Sequence, residues 1–173
     1  MRHHKKIGWA LALAGLMGTA LAQTCRDDIK ATAPDSRFSD NGNGTVTDLA
    51  TGLIWKQCAE GLSGAGCATG GLAAFTWLQA LQQAESAVFA GSSLWRLPNK
   101  NELASLIERR CYDPAINTRF FPNTPSNWFG SSSPNANDAD DADGAWGVYF
   151  YSGYVGSYGK DYAVYVRLVR GGQ

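Results

Sequence analysis

Residues 95–110 read WRLPNKNELASLIERR. An aromatic, an arginine and a proline stand directly before a helical pattern. Either Arg96 and Glu102 do chemistry here, or they hold a corner that aims a helix at a core. Pro98 keeps Leu97 extended, so the chain enters the helix from a strand-like segment. Asn99 is a good N-cap, and Glu102, three residues on, can return a hydrogen bond to the Asn99 amide. Leu103, Leu106 and Ile107 then point to one side. Only Arg96 is left without a local task, and beside Trp95 it is expected in an ion pair or carbonyl contacts, at least half-buried. Anion binding at the helix N-terminus is its functional alternative. We read Trp95, Arg96, Pro98, Asn99 and Glu102 as a structural corner, not a catalytic centre.

A second helical pattern runs from Ala73 to Phe89. Trp77, Leu81, Ala84 and Val88 share one face. Thr76 with Gln79 makes a capping box, and Gly91 marks the end. Earlier, RFSDNGNGTVTDLATGLIW contains the turn dipeptides Asn41-Gly42 and Asn43-Gly44, then β-prone TVTD and LIW joined by LATG. That reads as a hairpin. A calcium loop fails on register, because Ser39 stands where an acid is needed and no closing Glu follows.

The last third is β. Trp146, Val148 and Phe150 alternate with Gly147, Tyr149 and Tyr151; Val164, Val166 and Leu168 alternate with Ala163, Tyr165 and Arg167. Each strand is expected to cover the core with one face and show aromatics and arginine on the other. GYVGSYGKD between them reads as a loop, and so does the polar run from Ser131 to Gly144.

The first residues are expected to leave the mature chain. Arg2, Lys5 and Lys6 precede an apolar run to Ala22, and Ala20-Leu21-Ala22 suits signal peptidase. Residues 1–22 are therefore read as a secretory signal and 23–173 as a single domain, with no membrane span after cleavage. Cleavage takes three of 15 basic residues, leaving 12 against 15 acidic ones, which gives no basic footprint for nucleic acid. It also removes His3 and His4, the only histidines, and with them any Ser-His-Asp or Cys-His nucleophile.

Four cysteines in an exported chain read as disulfides, with three possible connectivities. The short spacing favours Cys58–Cys67, leaving Cys25 for Cys111. Loop entropy gives about 2.7 kcal/mol for the short loop and about 4.6 kcal/mol for the long one. Asp138, Asp140, Asp141 and Asp143 form an acidic cluster that could offer oxygens to calcium. Ala142 stands where D-x-D-x-D-G needs an acid, and acidic runs are usually solvated, so the expectation is an empty loop and no cofactor.

Several of these motifs coincide with one family. DNGNGTVTDLATGLIWKQC, the helix carrying Trp77 and Ala80, WRLPNKNEL, INTRFFP, SSSP, AWGVYF and YVRLVRGG resemble, in order, the C-terminal domain family of the Legionella collagen-like adhesin. WRLP with EL, and the final VRGG, are also similar to formylglycine-generating enzymes. The resemblance implies an α+β, C-type-lectin-like domain: two helices packed on small, mostly antiparallel sheets, with the N- and C-terminal strands adjacent. It also implies an adhesin-type module, since adhesin members are associated with sulfated glycans and some relatives display variable binding faces. This chain departs from the pattern in having no collagen-like repeat and a net negative mature charge. It also lacks the paired C-terminal cysteines of the oxygenase relatives, because Cys111 lies before the late strands.

The function expected is an exported, non-catalytic binding module for a glycan or protein at the cell envelope. Its candidate face is Trp146, Tyr149, Tyr151, Tyr154, Tyr158, Tyr162 and Tyr165, since tyrosine among Ser and Gly gives contact area at low entropy cost. The same tyrosines also suit an ordinary sheet surface. A structural envelope or appendage subunit is one alternative. A carboxylate-based hydrolase is another, although no motif places a carboxylate pair.

Overall fold

Val46 and Trp55 face each other across the first hairpin, both fully buried, and the rest of the chain packs around them. The computed structural model describes residues 23–136 and 143–171. The expected secretory segment lies outside these residues, as do Asp138, Asp140 and Asp141.

The chain begins with β1 (Thr24–Cys25), then β2 (Phe38–Asp40), β3 (Thr45–Asp48) and β4 (Ile54–Lys56). The Asn-Gly pairs turn β2 into β3 as their sequence predicts; Gly42 and Gly44 both take positive φ. Two short strands, β5 (Leu62–Ser63) and β6 (Thr69–Gly70), pair with each other around the Cys58–Cys67 disulfide. Then come β7 (Ala74–Phe75), α1 (Trp77–Ser86), α2 (Lys100–Ser105) and β8 (Cys111–Tyr112). The late strands are β9 (Trp128–Pro134), β10 (Gly144–Tyr149), β11 (Tyr154–Gly159), β12 (Val164–Tyr165) and β13 (Val169–Arg170).

The architecture is α+β. A five-stranded sheet runs β11-β10-β9-β12-β7, and a four-stranded sheet runs β13-β4-β3-β2. Pairing is antiparallel apart from the single β12–β9 step. Both helices pack on β9, with α1 also touching β7 and α2 also touching β10. One core cluster centres on Trp55, Leu103, Phe121, Phe129 and Phe150; a second, around Trp95, Leu97 and Leu168, sits under α1. No helix among the described residues is long and apolar enough to cross a membrane.

Both capping boxes form. Thr76 and Gln79 exchange hydrogen bonds, and so do Asn99 and Glu102. The end of α1 differs from expectation. Ala87 is already extended, and the chain then makes a tight turn in which Ala90 and Gly91 both take positive φ and Phe89 bridges Ser92. Gly91 thus serves a hairpin rather than a helix end, and Val88 is left 78% exposed. The buried stripe of α1 is Ala80 and Ala84.

Four further expectations are corrected. GYVGSYGKD is mostly strand: β11 pairs with β10 over its whole length, and only Gly153, Lys160 and Asp161 lie in turns. Its other glycines make room for aromatic rings laid on the sheet. Ser131–Pro134 belongs to β9 and Gly144 opens β10, so neither end of the polar run is loop. The YAVYVRLVR strand splits between the two large sheets, with Val166 and Leu168 carbonyls accepting from Glu60 and Lys56 on the way. Residues between two sheets have both faces covered, so Arg167 is fully buried instead of displayed.

The terminal strands do not pair with each other, contrary to expectation. β13 pairs with β4, in the sheet built from the first hairpin, whereas β1 pairs with β8 beside the Cys25–Cys111 disulfide.

Candidate functional site

The late strands bring most of the nominated tyrosines to one face of the five-stranded sheet. Tyr149 lies opposite Tyr154 on β11 and opposite Trp128 on β9. Partners across a sheet share a face, so Trp128, Tyr149, Tyr154 and Tyr158 stand on the same side. Trp128 is the hub. Its ring lies 5.5 Å from Tyr149, 6.0 Å from Tyr154 and 6.4 Å from Tyr158, centroid to centroid. Tyr151 continues the group at 5.9 Å from Tyr149, and Tyr112 follows at 6.3 Å from Tyr151.

Glycines form the floor. A side chain at Gly130 would meet the Tyr158 hydroxyl at 2.5 Å, and one at Gly147 would meet the Tyr158 ring at 3.1 Å. Gly156 lies under Tyr154 and Trp128 in the same way. The strands bear glycine where the rings cross them, which lets aromatics lie close to the backbone. Tyr154 is 61% exposed and Tyr162 69%, so the group is an outer surface and not a second core.

At one end of the face is an open cleft of about 310 Å³ lined by Asn127, Trp128, Ser157, Tyr158, Tyr162 and Val164. None of its lining side chains is charged. Asn127 fixes the Trp128 backbone by accepting its N–H at 2.8 Å. Burial pushes the Tyr158 phenol up to about 12, and its hydroxyl has no hydrogen-bond partner among the described residues.

Two nominated residues do not join. Trp146 falls on the opposite sheet face, where the Lys100 ammonium sits 4.3 Å over its ring. Tyr165 packs on the core, 6.0 Å from Phe129. Trp128 and Tyr112 are the members that the sequence reading missed. The signal for Trp128 was present in NWFGSSS, where an aromatic alternates with glycine across buried Phe129. Reading the following serines as loop concealed the strand.

The corner residues are tied to one another and to the chain beyond β13. Arg96 donates to both Glu102 carboxylate oxygens at 2.7 Å, and to the Gly171 carbonyl at 3.2 Å. The Arg96 hydrogen bond holds the Glu102 carboxyl below its usual range. Trp95 and Pro98 are buried, and Asn99 caps α2.

Arg167 is also structural. Nη1 donates to the carbonyls of Lys56 and Gln57, Nη2 donates to Thr124 Oγ1 at 2.8 Å, and the guanidinium lies 4.9 Å over Phe121. Burial lowers its pKa from the ordinary value, opposed by the charge of Glu60. Of the acidic cluster only Asp143 is described; it is exposed, and its carbonyl accepts from the Lys160 N–H. Among the described residues no three His, Cys, Asp or Glu side chains gather as a metal site.

The model of a known family, the Lcl C-terminal domain, matches residues 44–170. No curated protein matches the chain significantly. The matched span runs from the first hairpin to the last strand and contains both helices, the corner and the aromatic face. The chain belongs to the Lcl C-terminal domain family.

Proposed function

We propose that this chain is an exported, non-catalytic binding module of adhesin type, on a C-type-lectin-like frame, whose ligand docks on the Trp128–Tyr158 face. The observation that carries this reading is the exposed aromatic group set on a glycine floor beside an open cleft. Large, stiff rings on a sheet give contact area at little entropic cost.

Export is supported by the two disulfides, which persist in oxidising compartments. The non-catalytic reading is supported by the way carboxylates are used. Asp48 pairs with Arg37, Glu102 with Arg96 and Glu60 with Lys56, and Glu108 accepts the Thr32 and Ala33 amides. Acids held this way are poor general acid/base candidates. The ligand is a glycan or protein of the cell envelope or its surroundings, and the face needs no metal to hold it.

The test is a panel of immobilised glycans and extracellular-matrix proteins, probed with the wild-type chain and a Trp128→Ala/Tyr154→Ala variant. Binding to a panel member that the variant loses, at near wild-type thermal stability, supports the reading. Binding that both proteins share equally would move the site elsewhere.

A further inference from the structure

The ring contacts of the aromatic face run in series. Tyr112 leads to Tyr151, Tyr151 to Tyr149, Tyr149 to Trp128 and Trp128 to Tyr158, at steps of 6.3, 5.9, 5.5 and 6.4 Å. Ring planes turn by 33° from Tyr151 to Tyr149 and by 31° from Tyr149 to Trp128, so this part of the row curves gently. Tyr154 stands nearly perpendicular to Trp128 and forms a side wall. The row ends in the uncharged cleft.

We propose that this row is a track for an uncharged polysaccharide. Consecutive pyranose rings lay their C–H faces along the row, and the cleft takes a terminal or branching sugar. This rests on the aromatic face being the ligand site, and adds the class of ligand.

A row of rings, each about one ring from the next, is the complement of a polymer that is itself a row of rings. An aromatic face carries negative charge density and attracts the C–H groups that a pyranose presents above and below its plane. The hydroxyls at the sugar's edge then need uncharged donors and acceptors. Asn127, exposed at the cleft, supplies them. The Asn127 carbonyl is held by the Trp128 amide, which leaves Nδ2 to donate.

The charge pattern selects against sulfated or carboxylated chains. No lysine or arginine lines the cleft. The nearby ammonium groups are aimed at other rings, Lys160 at Trp77 and Lys100 at Trp146. A charged glycan laid here would lose solvation without gaining a cation. A folded protein partner would require a broad contact surface, whereas the ring contacts form a line.

Affinity electrophoresis of the purified protein tests this, in gels carrying hydroxyethylcellulose, galactomannan or glycogen, with heparin as the charged comparator. At least one neutral polymer is expected to retard the protein, unchanged between low and high salt. Trp128→Ala is expected to weaken retention about tenfold, the equivalent of losing roughly one well-placed ring contact. Tyr112→Ala/Tyr151→Ala, at two exposed rings, shortens the track. It is expected to weaken binding of the polymer but not of a disaccharide, which gives a readout should Trp128→Ala fold poorly.

Retention by heparin alone, salt-sensitive and lost in the aromatic variants, would overturn the uncharged class while leaving the face as the ligand site. Neutral-polymer retention that survives in all the variants would overturn the face itself. The absence of retention by every neutral polymer would overturn this proposal.

Discussion

Arg96 and Glu102 meet in a two-point ion pair, and the same Glu102 carboxylate accepts the Asn99 N–H at 2.8 Å. One side chain therefore holds both the helix cap and the incoming strand. The two residues should not be equivalent. Arg96 is 42% exposed in the pair, so Arg96→Ala is expected to cost at most about 1 kcal/mol. Glu102→Ala removes the pair and also half of the capping box, adding about 1 kcal/mol. Melting temperatures should fall by about 2–4 °C per kcal/mol, with the double variant close to Glu102→Ala. Ligand binding should stay intact in all three. An Arg96→Ala protein with wild-type stability and no binding would return Arg96 to the list of ligand contacts.

Acid should unfold the domain through the same kind of pairing. The Arg96 hydrogen bond lowers the Glu102 carboxyl. Burial pushes Asp48 upward, but hydrogen bonds from Arg37 and Thr51 outweigh it, and its carboxyl also sits below the usual range. A carboxyl with a lowered native pKa contributes fully above its ordinary value, here 4.5 for Glu102 and 3.8 for Asp48. That contribution is lost as pH falls through the native values. Urea denaturation across pH should therefore show stability declining from about pH 4.5 downward. In Arg37→Ala the fully buried Asp48 loses its partner, at a cost of about 3–5 kcal/mol, and the decline should begin at higher pH.

What was legible in the sequence is what a few neighbouring residues decide. The Asn-Gly turn, the two capping boxes and the Leu103 face follow from contacts within four positions, and each is present. The misreadings come from contacts far apart along the chain. Gly-Tyr-Ser composition serves a flexible loop and a ring-covered strand equally well, and only pairing with β10 separates them. Arg167 alternates as a displayed residue would, but Thr124 and the carbonyls of Lys56 and Gln57 close over it. The candidate face was half legible for the same reason. Tyr149, Tyr151, Tyr154, Tyr158 and Tyr162 come from one stretch, whereas Trp128, which joins them, comes from β9, earlier in the chain.

Arg167 should be irreplaceable by either of its usual substitutes. Arg167→Met keeps the length but leaves the Lys56 and Gln57 carbonyls and the Thr124 hydroxyl without their donor, at about 1–3 kcal/mol for each group left unsatisfied. Arg167→Lys keeps the charge but offers a point instead of a planar fork, so it cannot serve two directions and stack on Phe121 at once. Chemical denaturation should show both variants strongly destabilised. A lysine variant of wild-type stability would mean that charge alone is required.

The glycine floor makes a separable pair of predictions. At Gly147 a new Cβ would lie 2.6 Å from the Phe129 carbonyl, a backbone atom of the neighbouring strand, so Gly147→Ala must push β9 and β10 apart. Overpacking of this kind costs about 1–3 kcal/mol. At Gly156 the clash is with the Tyr154 ring at 2.5 Å, and that ring, 61% exposed, can swing into solvent. Gly156→Ala should therefore keep its stability within about 0.5 kcal/mol while weakening ligand binding. Tyr158 reports on the other case. Its native pKa of about 12, raised by burial from 10.0, stabilises the fold fully below pH 10.0 and is lost as pH rises through about 12. In Gly147→Ala the new Cβ crowds the Tyr158 ring at 3.1 Å and loosens its seat on the sheet, so phenolate absorbance should show this tyrosine titrating below its wild-type value. If Gly156→Ala binds as the wild type does, with its Tyr154 and Trp128 resonances displaced, the placement of those rings is not what the ligand reads.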